Sequence, residues 1–152
     1  MSTTREFAPA RTKDKKRSTP TPARVLATHA VNAALEKKAH DIAVMDMRKV
    51  SGVADYFVIC TGDADLQVKA IHEAIQDRIR EQCQERPWHV EGAEHRQWVL
   101  LDYVDLVVHI FDAEKRAFYD LERLWGDAPV EEVPDDADSA AGVKLLQEKK
   151  SS

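Results

Sequence analysis

Residues 98–112 read Trp-Val-Leu-Leu-Asp-Tyr-Val-Asp-Leu-Val-Val-His-Ile-Phe-Asp. Two short apolar runs flank an acidic tip, the pattern of two strands joined by a tight turn. Both runs are too apolar for strands with one wet face. They belong inside a sheet or against a helix layer. Alternation puts Trp98, Leu100 and Asp102 on one face of the first strand, and Val107, His109 and Phe111 on one face of the second. Asp102 and Asp105 bracket Tyr103 and Val104 at the tip. A hairpin that gathers Trp, Tyr, His and two Asp either builds a site or is offered to a partner.

Working outward, Asp55-Tyr56-Phe57-Val58-Ile59-Cys60-Thr61 is a second buried strand, stopped by Gly62. Ile42 to Met47 alternates into an earlier one. Between Gly62 and Pro87, Val68, Ile71, Ile75 and Ile79 recur at helical spacing, with Lys69, Glu73, Asp77 and Arg80 facing water. Asp63 or Asp65 is placed to cap that helix. Trp88 to Val90 reads as a short edge strand. Thr21-Pro22 opens a first helix whose stripe is Ala27, Val31, Ala34, Leu35 and Lys38. Asp112 caps a last helix, with Phe118, Leu121 and Leu124 or Trp125 on its buried side and Gly126 at its stop. The expected architecture is an α/β single small domain, a mixed β-sheet covered by helices.

The 152 residues favour one domain over residues 23–126, between two tails. Residues 1–22 carry six Lys/Arg against Glu6 and Asp14, lack apolar periodicity and are expected to be disordered. Residues 127–152 are expected to be an acidic, mostly disordered tail, since 127–138 holds six acids and no base. The net charge of −5 argues against bare nucleic acid as the main partner. No apolar run approaches the ~20 residues of a membrane span, and no signal-peptide core is present. A cytoplasmic protein is the expectation. Cys60 and Cys83 have no CxxC spacing and read as reduced thiols.

Three chemistries were weighed on these residues. Gly62-Asp63-Ala64-Asp65 after a strand, with Asp102, is where a nucleotidyl transferase would hold metal ions; helix capping is the plainer reading, and no Gly-rich phosphate loop accompanies it. Cys60 with His109 can be drawn as a nucleophile and base on adjacent strands, but a thiol in an apolar run is inert. His29, His40, His72, His89, His95 and His109 show no ligand spacing. No metal or cofactor is expected. Recognition by Trp98, Tyr103 and the two Asp competes evenly with a buried Trp beside turn-forming Asp.

Five segments occur in order: Asp55-Tyr56-Phe57-Val58-Ile59-Cys60-Thr61-Gly62, Gln67-Val68-Lys69-Ala70-Ile71, Trp98-Val99-Leu100-Leu101-Asp102-Tyr103, Val107-Val108-His109 and Tyr119-Asp120-Leu121-Glu122-Arg123-Leu124-Trp125. Together they resemble the ribosomal silencing factor family, also called Iojap or RsfS, over about residues 24–126. The resemblance implies a nucleotidyltransferase-like fold without the catalytic pattern, and no enzyme activity. It implies binding to the large ribosomal subunit through ribosomal protein L-fourteen, which blocks joining of the small subunit and represses translation in starvation. A role as large-subunit assembly adaptor is the alternative, beside the transferase. The residues it places at the partner are Trp98, Asp102, Tyr103 and Asp105, with His109 less certain in role. A homodimer and a peripheral contact of the basic tail with ribosomal RNA are also compatible with it. Val104 departs from the family, which usually has Gly there; a β-branched residue resists the positive φ of a tight turn. Gly52, Ala64 and Leu66 depart as well.

Overall fold

The computed structural model describes residues 21–50 and 52–147. Its frame is one six-stranded sheet. In chain order the elements are α1 (Ala23–Glu36), β1 (His40–Asp46), β2 (Tyr56–Gly62), α2 (Asp65–Cys83), β3 (His89–Glu91), β4 (Trp98–Asp102), β5 (Leu106–Asp112), α3 (Ala113–Tyr119), α4 (Leu121–Leu124) and β6 (Val130–Val133). Two 3-10 turns follow, Ala140–Gly142 and Lys144–Leu146. The strand order is β3-β4-β5-β2-β1-β6. Only β2 and β5 run parallel, and their connection carries α2; every other pair is antiparallel. The sheet is mixed, as the sequence predicts.

The central strands β2 and β5 are buried along their apolar lengths, which is why they lack alternation. One sheet face carries α1 and α2. Helix α1 buries Ala23, Ala27, Ala30, Ala33 and Ala34 around Leu26 and Val31, small side chains that let it lie close to its neighbours. Helix α2 buries Val68, Ile71, Ile75 and Ile79, the stripe read from the sequence. Cys60, Val99, Leu101 and Ile110 meet those helices from the sheet. The other face packs Met45, Phe57, Ile59, Val107 and Phe111 under the 47–54 connection, Leu121 and Trp125.

Helix starts differ from the sequence reading in detail. Pro22 is the N-cap of α1, and Thr21 makes no side-chain cap. Ala64 is the N-cap of α2, and neither Asp63 nor Asp65 caps it. Gln67 holds that junction instead, accepting from the Asp63 N–H and donating to the carbonyls of Lys37 and Lys38 at the end of α1. Asp112 caps α3 as expected, accepting from the Lys115 N–H at 2.8 Å.

Two expectations are corrected. The last helix is not continuous: Asp120 takes φ +48° and splits it into α3 and α4. The break rotates the apolar stripe, so Leu121 is buried while Phe118 and Leu124 stand 74% and 67% exposed. The chain also does not leave the domain at 127. Val130–Val133 adds β6 to the outer edge of β1, pairing Ile42 with Val133 and Met45 with Val130. Val133, Ala140, Val143 and Leu146 are buried in the main core. The acids that suggested a tail serve as caps: Glu131 accepts from the N–H groups of Lys144 and Leu145, and Asp135 accepts from that of Asp41. Few apolar residues suffice here because each is buried and the backbone is satisfied by side chains. The expected basic tail falls on residues 1–20, outside the described residues, apart from Thr21 and Pro22.

Candidate functional site

The hairpin tip is a three-residue loop between β4 and β5. The Tyr103 N–H donates to the Leu106 carbonyl at 2.8 Å, and the Asp105 N–H donates to the Tyr103 carbonyl at 3.0 Å. Val104 sits between them at φ +80°. A bond spanning two residues around a positive-φ centre is a γ-turn of the rare, strained kind. Asp102 Oδ1 accepts the Val104 N–H at 2.8 Å. The Asp105 carbonyl accepts from the N–H groups of Asp55 and Tyr56, fixing the tip to the start of β2. Each tip N–H is thus satisfied within the fold.

The five candidate residues separate by exposure. Asp102 is fully buried, and Tyr103 and His109 are each 5% exposed. Trp98 is half-buried and Asp105 is exposed. Tyr103 points to the helix-covered face; its hydroxyl has no hydrogen-bond partner, and burial and then the Glu85 charge push its pKa up. Trp98 and His109 share the opposite face. The Trp98 indole N–H donates to His109 Nδ1 at 3.1 Å. An indole can only donate, so Nδ1 carries no proton and the ring is neutral with its hydrogen on Nε2. That Nε2 is buried without a partner, and burial, then the Arg116 charge, push the His109 pKa down to about 3.

Trp98 begins an aromatic row. It stacks on Phe111 with centroids 5.0 Å apart and meets Tyr119 at 4.4 Å, and Tyr119 in turn meets Phe118 edge-on at 5.0 Å. Phe118 and Tyr119 are 74% and 41% exposed. With Leu124 and half-buried Leu100 they form an apolar surface on the thinly covered face. Lys115 lies over the Phe118 ring. Sequence reasoning assigned Phe118 to the core and missed this surface. The signal available was Tyr119-Asp120: an Asp tolerates the left-handed conformation that interrupts a helix and turns the preceding aromatics outward.

The catalytic constellations do not assemble. Gly62 pairs with Asp112 at one end of β5, while Asp102 pairs with Val107 near the other. Five residues of strand put roughly 17 Å between those ends. Asp63 hydrogen-bonds to His40 Nε2 at 2.6 Å, and Asp65 lies 3.6 Å from Arg96. Cys60 faces the helices and His109 the opposite side, so they do not meet; burial pushes the Cys60 thiol up to about 12. Among the described residues no group of three or more His, Cys, Asp or Glu could hold a metal ion, and no helix is long and apolar enough to cross a membrane.

The family model described as ribosomal silencing factor during starvation matches residues 20–151. The chain belongs to the ribosomal silencing factor family. The match takes in β6 and both 3-10 turns, so the C-terminal segment lies within the family's span. Ribosomal silencing factor RsfS of Halalkalibacterium halodurans is 44% identical over 104 residues, 68% of this chain and 88% of the relative. That of Bacillus subtilis is 45% identical over 105 residues, 68% and 87%. Chloroplastic protein Iojap of Zea mays is 36% identical over 112 residues, 72% of this chain and 47% of that protein. A crystal structure of a Chromobacterium violaceum protein superposes with TM-score 0.67 at 32% identity, covering 70% of this chain and 88% of that one. One from Bacillus halodurans gives TM-score 0.63 at 38% identity, covering 72% and 99%.

Proposed function

We propose that this chain is a non-enzymatic factor that binds the large ribosomal subunit through ribosomal protein L-fourteen and blocks joining of the small subunit. Family membership supports ribosomal silencing. The observation that carries the binding reading is the outward row from Trp98 through Tyr119 to Phe118, beside the exposed carboxylate of Asp105. Aromatic anchors give a protein interface its desolvated area, and acids beside them steer a basic partner into register. Asp102, Tyr103 and His109 belong to this face as supports: Asp102 shapes the tip, Tyr103 roots it, and His109 orients the Trp98 indole.

A steric block needs only occupancy. An interface of roughly 800 Å² per partner is of the standard size for a specific complex. A dissociation constant near ten nanomolar corresponds to about −11 kcal/mol. The test is sedimentation of the purified protein with isolated large and small subunits. Binding to large subunits alone, with loss of subunit joining at saturating dose, is expected. Unchanged subunit joining at saturation would reject the proposal.

A further inference from the structure

The described chain begins at Thr21, whose N–H donates to Glu85 Oε2 at 3.1 Å. The basic segment before it is therefore delivered to the loop that follows α2. Three residues beyond Glu85 the sheet ends in β3, the outermost strand on that side. Trp88 and Val90 are 42% and 36% exposed. Two apart, they share the face on which Val90's partner Leu101 is covered by helices. The helix layer leaves this corner open. The surroundings are acidic: residues 81–105 hold six acids against Arg86 and Arg96.

We infer that the basic segment around Arg11–Arg17 docks in cis along β3, over Trp88 and Val90, with its cations facing Glu85, Glu91 and the acidic tip of the β4–β5 hairpin. Reach fits. An extended chain spans roughly 3.3–3.6 Å per residue, so Arg17 lies within about 14 Å of Thr21 and Lys13 within about 28 Å. The six residue steps from Glu85 to Glu91 cover roughly 20 Å by the same measure. Phe7, farther out, is the large apolar side chain available for the exposed ring of Trp88.

The rival location is the groove between α1 and α2 lined by Glu36, Glu73, Asp77 and Glu81. Its acids are already engaged locally, Asp77 and Glu81 by Arg80 and Glu36 by Arg78. Lys37 and Arg78 line the same groove, and no large exposed apolar side chain does. The β3 edge offers both apolar area and acids, and it lies beside the point where the segment enters. This docking needs no ribosome and stands apart from the function proposed above.

Amide hydrogen exchange on the full chain tests it. The wild type is compared with a full-length variant carrying Lys13→Glu, Lys15→Glu, Lys16→Glu and Arg17→Glu, at ~0.01 M and ~1 M salt, where screening lengths are roughly 30 and 3 Å. The expected result is exchange across residues 88–91 about tenfold faster in the variant, and in the wild type at high salt, with β2 and β5 unchanged. Equal exchange at 88–91 in both proteins would overturn the docking. So would a change confined to residues 73–81, which would place the segment on α2. Loss of the wild-type protection on dilution would also overturn it, since the occupant would then be a second copy.

Discussion

Asp102 and Val104 are locked together at the hairpin tip: Asp102 Oδ1 accepts the Val104 N–H at 2.8 Å while Val104 holds φ +80°. A β-branched residue strongly disfavours that backbone region. The buried carboxylate and the γ-turn bond to Tyr103 hold it there. The departure from the family's usual Gly therefore leaves the turn in its positive-φ form and adds strain.

Val104→Gly should relieve that strain. A positive φ costs an L-residue about 1–2 kcal/mol, and Gly returns roughly 0.5–1 kcal/mol through the freer unfolded chain. A net gain of about 0.5–1 kcal/mol is expected, read as a higher urea midpoint with unchanged slope. Asp102→Ala should do the opposite by about 1–3 kcal/mol, because a buried N–H loses its acceptor. Asp102→Asn keeps an oxygen in place and should lose less than half as much. A destabilised Val104→Gly would mean that the Val104 side chain contributes more packing than the turn costs.

His109 predicts a pH dependence. Its folded pKa of about 3 lies below the ordinary 6.5. Between those values the unfolded chain binds a proton that the folded one does not. The contribution is complete above pH 6.5 and is lost as pH falls towards 3, with a limiting slope of about 1.4 kcal/mol per pH unit. His109→Gln removes the titrating group. Its stability should fall less steeply than that of the wild type between pH 6.5 and 4 in denaturant titrations at each pH. Parallel pH profiles for the two proteins would rule out His109 as the source.

The central sheet was legible because its strands carry their burial in composition: β2 and β5 are apolar on both faces, and α2 has an unbroken stripe. The tip was legible as a turn, and Val104 as its point of conflict. Exposure within the hairpin was not. Nothing in Trp98-Val99-Leu100-Leu101-Asp102-Tyr103 says that Asp102 turns its carboxylate back onto Val104, or that Tyr103 lies under the helix layer. Phe118 was misplaced because one left-handed residue, Asp120, resets the phase of the stripe. β6 was missed because Val130-Glu131-Glu132-Val133 has too few apolar residues to signal a strand, and its partner β1 lies about ninety positions earlier in the chain.

The aromatic row predicts where a partner is lost without loss of fold. Phe118→Glu changes a side chain that is 74% exposed, so stability should move by less than about 0.5 kcal/mol. Combined with Asp105→Lys, it places charge in the apolar contact and reverses the carboxylate beside it. Co-sedimentation with large subunits should weaken by a factor of about ten to a hundred, the equivalent of roughly 1.4–2.8 kcal/mol. Normal binding by the double variant, with a native circular dichroism spectrum, would move the partner face elsewhere on the domain.

Ending the chain after Ala128 tests the corrected boundary. Val133, Val143 and Leu146 would be lost from the core, each having roughly 1.5–3 kcal/mol of burial. The ordering entropy of the segment opposes that gain, so the net loss of stability should be on the order of 3 kcal/mol. The outer edge of β1, now closed by β6 from Ile42 to Met45, would become an open edge. Open apolar edges invite pairing with another chain. The truncated protein should therefore show a lower denaturation midpoint and rising light scatter with concentration. Leu146→Ala separates the two effects, because it removes core packing while leaving β6 in place: it should lower the midpoint by about 2–4 kcal/mol without the scatter. A truncated chain as stable and monodisperse as the full one would return residues 129–152 to the status of a tail.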